Sequence, residues 1–361
     1  MSRIYCLGVG LIGSYVAKKL AQAGHEVHAL DPNPHRISNF PGIIIHIINK
    51  NENPVEILSH IIKSDNSVNF DTDNDIVINM LPGDIGHKST SSLANLPWRT
   101  VDLSFSEITP DNFQRAATES GASIIWDTGI APGLSNMLLS EAHRTLGPLK
   151  IGEVRVGGNP AKPTTGWNYM APFSPLDVIA EYTRPARVIR DSQVKVLPPL
   201  SDRHNIRVPN KGDMEAFLTD GLRSVLYSIP SFHMSEYTVR WPGHIQKYID
   251  ERDSGTIDIN SLTKEWEFDS QTPEFTWMEV LAEGMDGTRM TWTVEDHGGD
   301  DGHSMARCTG LVTVCCVEEW LIDAQMIPIG VYPPEILSTD AIARIMNRMA
   351  DYGIMIDGPE I

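Results

Sequence analysis

Three glycines near the start of the chain have the spacing of a phosphate-binding turn. Gly8, Gly10 and Gly13 fit the pattern G-x-G-x-x-G. In this pattern the first glycine permits a tight turn, the second lets backbone amides approach a pyrophosphate, and the third lets a helix pack closely on a strand. The N-terminus of that helix, at Leu11 and Ile12, then faces the phosphates. The spacing predicts a dinucleotide cradle, and an ordinary loop is the alternative for Gly8 and Gly10.

Asp31 predicts which dinucleotide the cradle binds. It lies at the carboxyl end of the second predicted strand, about 20 residues beyond the glycines, where an acidic side chain accepts hydrogen bonds from the ribose hydroxyls. Its charge repels a 2′-phosphate, so NAD is favoured over NADP. Arg36 weakens the preference for NAD because it could pair with the 2′-phosphate of NADP. The alternative is that Arg36 is a solvated surface arginine.

The elements around these residues are predicted from hydrophobic periodicity. A short apolar run at 4–7 favours a buried strand, residues 11–20 keep a helical period that ends at Gly24, and 26–30 form a second strand. Further strands are predicted at 43–48, 75–82, 100–104 and 122–133. The alternation with helices predicts an α/β fold whose N-terminal part is a Rossmann, doubly wound parallel sheet.

Three strand ends of this sheet are predicted to reach the cofactor. Leu81 and Pro82 begin a loop, 81–86, that lies over it. Gly129 and Ala131 belong to "GIAPG", which bends the chain beneath the nicotinamide and presents backbone groups to it. Asp102 ends a strand at the carboxyl edge, where ligands bind in such folds, and either reaches the nicotinamide or substrate as a catalytic residue or caps the next turn.

The pattern changes after the helix predicted at 134–146. Strand-like segments with turn residues at short intervals predict a second α+β domain with a largely antiparallel sheet, and the last stretch is helical again. We predict a Rossmann NAD-binding domain at 1–132, a substrate and dimerisation domain at 133–307, and a helical segment at 308–361 that returns to the Rossmann domain.

Composition excludes several classes of function. The 361 residues carry 47 acidic and 29 basic side chains, a formal net charge of -18, which argues against nucleic acid or an anionic membrane as partner. No apolar segment approaches the roughly 20 residues that span a bilayer, and the chain starts with a predicted strand rather than a signal peptide, so we expect a cytoplasmic protein.

Neither cysteines nor histidines predict a metal site. The four cysteines lack C-x-x-C spacing and are interpreted as buried thiols, with no zinc site and no disulfide. His297 and His303 lie in "EDHGGDDGH", whose composition favours a polar hairpin loop over a metal centre.

Several segments, in the same order along nearly the whole chain, resemble the saccharopine dehydrogenase-like oxidoreductases, and most closely their lysine 6-dehydrogenase branch. They are "DTGIAPGLSNML" (127–138), "VGGNP" (156–160), "EYTRPARVIRDSQVKVLPPLS" (181–201), "EAFLTDGLRS" (215–224), "TVRWPGHIQK" (238–247) and "GVYPPE" (330–335). The resemblance implies a Rossmann domain, an α/β substrate domain, a nicotinamide cofactor, a homodimer, and hydride transfer at a carbon that bears an amine.

The resemblance also implies a choice of substrates. In the lysine 6-dehydrogenase branch, NAD oxidises the ε-amino carbon of L-lysine to an imine, which hydrolyses and cyclises. Related members are reductases that form a secondary amine, such as saccharopine or carboxynorspermidine. A protein that senses NAD and has lost the chemistry is the alternative that is not an enzyme.

Two residues of "TVRWPGH" are candidates for substrate chemistry. Arg240 is expected to clamp the substrate carboxylate, because a planar guanidinium matches that group, and the resemblance implies the same role. An arginine paired across a sheet is the alternative. His244 has an ordinary pKa near neutrality, so it either takes or relays the ammonium proton or is a structural histidine in a Pro-Gly turn.

Further candidates line the predicted substrate site. Asp220 is expected to hold the distal ammonium of a diamine, and Thr219 to hydrogen-bond the substrate or the cofactor amide. Asn168, in "TTGWNYMAPFSP", either lines the substrate pocket or belongs to a loop that packs on a domain face. A second cationic pocket would instead favour a dicarboxylic conjugate, and its candidate residues are Arg184, Arg187 and Arg223.

Overall fold

The computed structural model describes residues 2–64 and 70–361, which form two compact units. Unit 1 contains Met1–Leu134 and Thr309–Arg348, and unit 2 contains Ser135–Cys308 and Met349–Ile361. The domain boundaries predicted from the sequence place all of 308–361 with the Rossmann domain. The structure differs for 349–361, because the last strand of the chain pairs with a strand of unit 2.

The first part of unit 1 alternates strands and helices. Three of its strands are buried at every position, as expected for parallel strands covered on both faces. The elements are β1 (Arg3–Leu7), α1 (Leu11–Gln22), β2 (Glu26–Asp31), β3 (Ile43–Ile47), α2 (Pro54–Ser64), β4 (Ile76–Asn79), α3 (Gly83–Leu93), β5 (Arg99–Asp102), α4 (Gln114–Ser120) and β6 (Ser123–Trp126).

The middle of the chain is rich in strands. Its elements are α5 (Leu134–Leu146), β7 (Leu149–Pro160), α6 (Pro175–Thr183), β8 (Ala186–Arg190), β9 (Gln193–Leu197), β10 (His204–Val208), β11 (Gly212–Leu218), α7 (Val225–Ser228), β12 (Ser231–Arg240), α8 (His244–Asp253), α9 (Ile259–Glu265), β13 (Glu274–Gly284) and β14 (Arg289–Asp296). The remaining elements are α10 (Ser304–Ile322), β15 (Gly330–Tyr332), α11 (Thr339–Asp351) and β16 (Met355–Asp357).

Unit 1 is built on a parallel sheet. Within the described residues its strand order is β15-β6-β5-β4-β1-β2-β3, and every pair is parallel. The order reverses between β1 and β4, and ligands of such sheets bind outside the carboxyl ends of the strands at this reversal. The predicted Rossmann fold is therefore confirmed, and the glycine turn follows β1 at the expected edge.

Unit 2 is built on a mixed sheet. The described strands follow the order β10-β11-β12-β7-β13-β14-β16, with the hairpin β8 and β9 attached to β12. Only β12 and β7 run parallel among these pairs, and the others are antiparallel. The predicted α+β domain with a largely antiparallel sheet is confirmed.

All four cysteines are buried free thiols. No group of three or more metal-ligating side chains occurs in 2–64 and 70–361, and no helix there is long and apolar enough to cross a membrane. The loop predicted at 81–86 is shorter than expected, because α3 already begins at Gly83.

An added methyl group at Gly13 would meet the backbone of the glycine turn. A Cβ there would lie 2.3 Å from the carbonyl oxygen of Gly8, whereas a Cβ at Gly10 would have nothing within 4 Å. We expect Gly13→Ala to lower the free energy of unfolding by about 1–3 kcal/mol, because α1 must move away from the turn.

The matched control is Gly10→Ala, with an expected loss of about 0.5 kcal/mol, since this residue precedes the helix with open space around it. Urea unfolding followed by tryptophan fluorescence measures both variants. Equal stabilities for the two variants would contradict the close packing at Gly13.

Candidate functional site

The glycine turn of unit 1 has the shape that a dinucleotide requires. Gly8 adopts a positive φ of 86° and donates a backbone hydrogen bond to Leu30 at 3.0 Å. A Cβ on Gly8 would lie 3.0 Å from the carbonyl oxygen of Met80, so the turn packs against the end of β4. Only glycine adopts this backbone without strain while leaving that space.

The N-terminus of α1 provides unsatisfied donors beside the turn. Ser14 donates the first intrahelical hydrogen bond, to Gly10 at 3.0 Å. The amides of Leu11, Ile12 and Gly13 precede it and have no intrahelical acceptor, as in any α-helix. Because the space around Gly10 is open, these donors suit a pyrophosphate, and the residues present fit a dinucleotide.

Asp31 is oriented by the turn itself. Its Oδ2 accepts a hydrogen bond from the backbone amide of Val9 at 2.7 Å, and its Oδ1 accepts one from Asn33 at 2.6 Å. The carboxylate is half-buried, so part of it stays accessible. A carboxylate held at this place can accept hydrogen bonds from ribose hydroxyls.

Two neighbouring segments have more restricted roles than the sequence suggests. Leu81 is buried, and Pro82 is the exposed residue that precedes α3. Gly129 donates to the carbonyl of Pro132 at 3.2 Å and accepts from Leu134 at 2.9 Å. The amide of Gly129 is therefore used within the bend. Ala131 is the other predicted cofactor contact in "GIAPG". It is half-buried, and its amide donates no such hydrogen bond within the bend.

Asp102 is enclosed by hydroxyl groups. Its Oδ1 accepts hydrogen bonds from the amide of Ser104 at 2.8 Å and from the Ser104 hydroxyl at 2.6 Å, and Thr90 donates to Oδ2. Burial raises the pKa of Asp102 to about 6, and these hydrogen bonds oppose the rise. The contacts favour the alternative in which Asp102 caps the turn after β5 over a catalytic role, because the carboxyl has no exposed surface.

Arg240, at the end of β12, carries a buried guanidinium. Its Nε donates to the Tyr182 hydroxyl at 2.9 Å, one terminal nitrogen donates to the carbonyl of Val239 at 3.0 Å, and the other to the Tyr169 hydroxyl at 3.3 Å. The guanidinium also lies 4.4 Å from the centre of the Tyr169 ring. Of its five N–H groups, the described residues therefore accept hydrogen bonds from three, which leaves one N–H on each terminal nitrogen.

Tyr182 and His244 continue a directed chain of hydrogen bonds from Arg240. The Nδ1 of His244 lies 2.7 Å from the carbonyl oxygen of Trp167, and its Nε2 lies 2.9 Å from the Tyr182 hydroxyl. A carbonyl can only accept, so Nδ1 carries the proton and Nε2 accepts from Tyr182. The Tyr182 oxygen is then free to accept from Arg240.

Of the two alternatives for His244, this chain favours the structural role over acceptance of the ammonium proton. Both ring nitrogens are occupied, and burial, reinforced by the charge of Arg240, lowers the pKa of His244 to about 3. The imidazole is neutral and structural, which is the alternative given by the sequence.

Asp220 is likewise committed to a partner within unit 2. Its two carboxylate oxygens accept from the Arg187 side chain at 2.8 and 2.9 Å, and Oδ1 also accepts from the Arg187 amide at 3.0 Å. The pair neutralises both charges. This pairing weakens the predicted role of Asp220 as partner of an ammonium and the candidacy of Arg187 for a second cationic pocket.

Thr219 directs its hydroxyl to a carboxylate that the sequence analysis did not select. It donates to Oε2 of Glu236 at 2.5 Å and lies 2.9 Å from the Thr238 hydroxyl. The amide of Gly221 donates to the same Oε2 at 3.1 Å. Thr219 therefore binds a protein side chain, and its predicted contact with substrate or cofactor is replaced by a role in positioning Glu236.

Glu181 stands beside Arg240 on the neighbouring helix α6. Its Oε2 lies 3.8 Å from a terminal nitrogen of Arg240. Burial raises the pKa of Glu181 to about 7, and the Arg240 charge opposes the rise.

Asn168 lies between Trp167 and Tyr169 in the chain. Its backbone has a left-handed φ of 53°, which asparagine tolerates, and the residue is half-buried.

Comparison with known proteins gives the family. The family of the saccharopine dehydrogenase C-terminal domain matches residues 129–354, more than half of the chain. The chain belongs to this family. The resemblance to saccharopine dehydrogenases is thereby confirmed.

Two solved structures show the same fold over almost the whole chain. Apo saccharopine dehydrogenase (L-Glu forming) from Saccharomyces cerevisiae has a TM-score of 0.70 at 16% identity and covers 99% of this chain and 100% of its own. Homospermidine synthase from Legionella pneumophila, solved with NAD, has a TM-score of 0.68 at 13% identity and covers 100% of this chain and 91% of its own.

Sequence reasoning missed three residues of unit 2, namely Glu181, Tyr182 and Glu236. One signal was present, because Glu236, Thr238 and Arg240 alternate along a strand and so line one face. The contacts of Tyr182 depend on the packing of α6 on the sheet, for which the sequence holds no local signal.

The neutral state of His244 makes a prediction about stability. Its pKa is near 6.5 when unfolded and about 3 when folded, so the imidazole gains its proton only on unfolding. The neutral imidazole therefore contributes its full share to the free energy of unfolding above about pH 6.5. This share is lost as the pH falls toward 3, by at most about 1.4 kcal/mol per pH unit.

His244→Gln removes this titration along with the hydrogen bonds. We expect the variant to be less stable than wild type at pH 7.5. The gap between the free energies of unfolding of the two proteins should narrow as the pH falls to 4.5. Urea unfolding across this range measures the gap, with the exposed His60→Gln as control. A gap for His244→Gln that does not change with pH would contradict a neutral imidazole.

Proposed function

We propose that the protein is an NAD-dependent oxidoreductase that oxidises the carbon bearing an amine in L-lysine or a related amino acid, as a lysine 6-dehydrogenase does. The observation that carries the substrate assignment is the buried guanidinium of Arg240, which keeps an N–H on each terminal nitrogen. The family and the dinucleotide turn of unit 1 support the reaction class.

The cofactor assignment rests on the turn and on Asp31. Gly8, Gly10 and the first amides of α1 would hold the pyrophosphate, and Asp31 would accept hydrogen bonds from the ribose hydroxyls. When bound, NAD accepts a hydride from the amine-bearing carbon and leaves a carbon–nitrogen double bond. The homospermidine synthase of the same fold was solved with NAD, which supports this choice.

The substrate class follows from the charges of unit 2. A carboxylate can bind both remaining N–H groups of Arg240, which would give it one fixed orientation. Arg187 is already paired with Asp220, so it adds no second carboxylate site. The loss of this one of the three candidates for a second cationic pocket supports an amino acid with one carboxylate over a dicarboxylic conjugate such as saccharopine.

A panel of amines tests the reaction. The purified full-length protein is mixed with NAD or NADP and with L-lysine, saccharopine or a carboxylated polyamine, and absorbance at the wavelength of the reduced nicotinamide is followed. We expect reduction of NAD with L-lysine. Turnover of the conjugates alone would favour the secondary-amine alternative, and NAD binding without any turnover would favour a sensing protein.

Asp31 sets the preference for NAD. Asp31→Ser removes the charge that repels a 2′-phosphate and the acceptor for the ribose hydroxyls, so we expect KM for NAD to rise at least tenfold and the NAD to NADP ratio of kcat/KM to fall at least tenfold. Glu26→Gln, at the other end of β2, is the control. An unchanged ratio in Asp31→Ser would show that this carboxylate does not select the cofactor.

Arg240 is predicted to recognise the carboxylate through its planar fork. Arg240→Lys keeps the charge but loses the paired N–H geometry, so we expect kcat/KM for L-lysine to fall about 10- to 100-fold while KM for NAD stays constant. Arg155→Lys is the matched control, because Arg155 also lies in the sheet but pairs with Glu153 and Glu279. If both variants are folded by circular dichroism and lower kcat/KM for L-lysine equally, the result would contradict a role of Arg240 in binding the substrate carboxylate.

A further inference from the structure

Glu236 is a buried carboxylate without a cationic partner. Its residue is 5% exposed, and no basic side chain among the described residues forms an ion pair with it. The hydrogen bonds that Glu236 accepts from Thr219 and Gly221 both reach Oε2, so Oε1 accepts none from the part of the chain that the structure describes. A buried carboxylate in this state is costly unless something pairs with it.

The surroundings of Glu236 are built to hold this carboxylate in one place. A Cβ on Gly221 would lie 2.6 Å from the carboxyl carbon, so glycine leaves the space that the group occupies. Thr238 lies 2.9 Å from Thr219 and, because Thr219 donates to Glu236, must donate to Thr219 in turn. The result is a short directed chain of hydrogen bonds that ends at Oε2.

The charges that act on Glu236 make the site attractive to a cation. Glu181 on α6 and Asp220 after β11 are both acidic, and Arg187 neutralises only Asp220. Arg240 is the basic residue on the same face of β12, four residues away, or about 13 Å between α-carbons. One end of this face therefore suits a carboxylate and the other suits an ammonium.

We propose that Glu236 binds the ammonium group of the substrate and accepts its proton. This inference rests on the proposed function and deepens it, because it names the substrate class as amino acids in which several methylenes separate the carboxylate from an amine. Arg240 binds the carboxylate and Glu236 binds the amine.

The proton transfer balances without any further reactant. One N–H bond of the ammonium breaks and an O–H bond forms on Glu236, so the ammonium becomes a neutral amine and the carboxylate becomes a carboxylic acid. The nitrogen lone pair is then free to form the carbon–nitrogen double bond when the C–H electron pair leaves as hydride to NAD. The acid keeps this proton at pH 7 and releases it to water when the next ammonium binds.

The ionisation of Glu236 suits this task. Burial raises its pKa to about 8, and the hydrogen bonds from Thr219 and Gly221 oppose the rise. A base whose pKa lies near the working pH is an efficient acceptor for an ammonium proton. At pH 7 the free group is mostly protonated, and an arriving ammonium ionises it.

Calorimetry tests the binding half of the proposal without turnover. The full chain, saturated with NADH, is titrated at pH 7 with L-lysine, 6-aminohexanoate or L-norleucine in two buffers of different ionisation enthalpy. We expect wild type to release nearly one proton per site with the first two ligands and none with L-norleucine, which lacks the distal ammonium.

Glu236→Gln keeps the size of the side chain and removes its charge. We expect it to bind L-lysine at least tenfold more weakly with no proton release, and to lower kcat at least 100-fold. Glu279→Gln is the matched control, since Glu279 is a sheet glutamate already paired with Arg155 at 2.8 Å. Wild-type affinity and proton release in Glu236→Gln would overturn the proposal.

Thr219→Val provides a second variant that keeps the carboxylate. It removes one donor to Oε2, which raises the pKa of Glu236 further, so the acidic limb of the kcat/KM profile is expected to move to higher pH than in wild type. A limb that does not move would overturn the assignment of that limb to Glu236.

The two proposals fail in different ways. If wild type oxidises no amine in the panel, the proposed function fails, and the calorimetric arm still decides whether Glu236 binds an ammonium. If wild type oxidises L-lysine and Glu236→Gln does so equally well, only the role of Glu236 is lost.

Discussion

The buried guanidinium of Arg240 is the constraint on which the packing of α6 and α8 on β12 in unit 2 depends. A charge removed from water must be compensated by hydrogen bonds or opposite charge. Tyr182, Tyr169 and the carbonyl of Val239 supply the acceptors, and the imidazole of His244 holds the Tyr182 hydroxyl in the orientation that leaves its oxygen available. His244 is neutral because it is buried, and the charge of Arg240 reinforces this, so the histidine is unsuited to acid–base work.

The hydrogen bonding of the Arg240 guanidinium is incomplete, and so is that of the Glu236 carboxylate. The arginine keeps two N–H groups without an acceptor among the described residues, and Glu236 keeps one oxygen without a donor there. Both groups lie on the same face of β12. In a folded protein such deficits are expected at places where a ligand completes the hydrogen bonding, and this expectation is the basis of the proposal that one zwitterionic ligand binds both residues.

Much of unit 1 could be predicted from the sequence because its signals are local. Strand β1, the turn at Gly8, helix α1 and the acid at Asp31 follow one another within about 30 residues, and each has a pattern of its own. In unit 2 the strands and the arginine were predictable, but the partners were not. The pairs Arg187–Asp220 and Thr219–Glu236 join residues that are 33 and 17 positions apart, and only the register of the sheet brings them together.

Asp31 and Asp102 show why a residue type at a strand end does not decide a role. Both lie at the carboxyl end of a parallel strand of unit 1, where sequence reasoning gave each a place at the cofactor. The donors around Asp31 are backbone amides of the turn and the next loop, and the half-buried carboxylate keeps part of its surface accessible to a ligand. Asp102 is surrounded by Thr90 and Ser104, whose hydroxyls fill its acceptor positions and exclude solvent. The type and exposure of the donors, rather than the position along the strand, separate a binding carboxylate from a structural one.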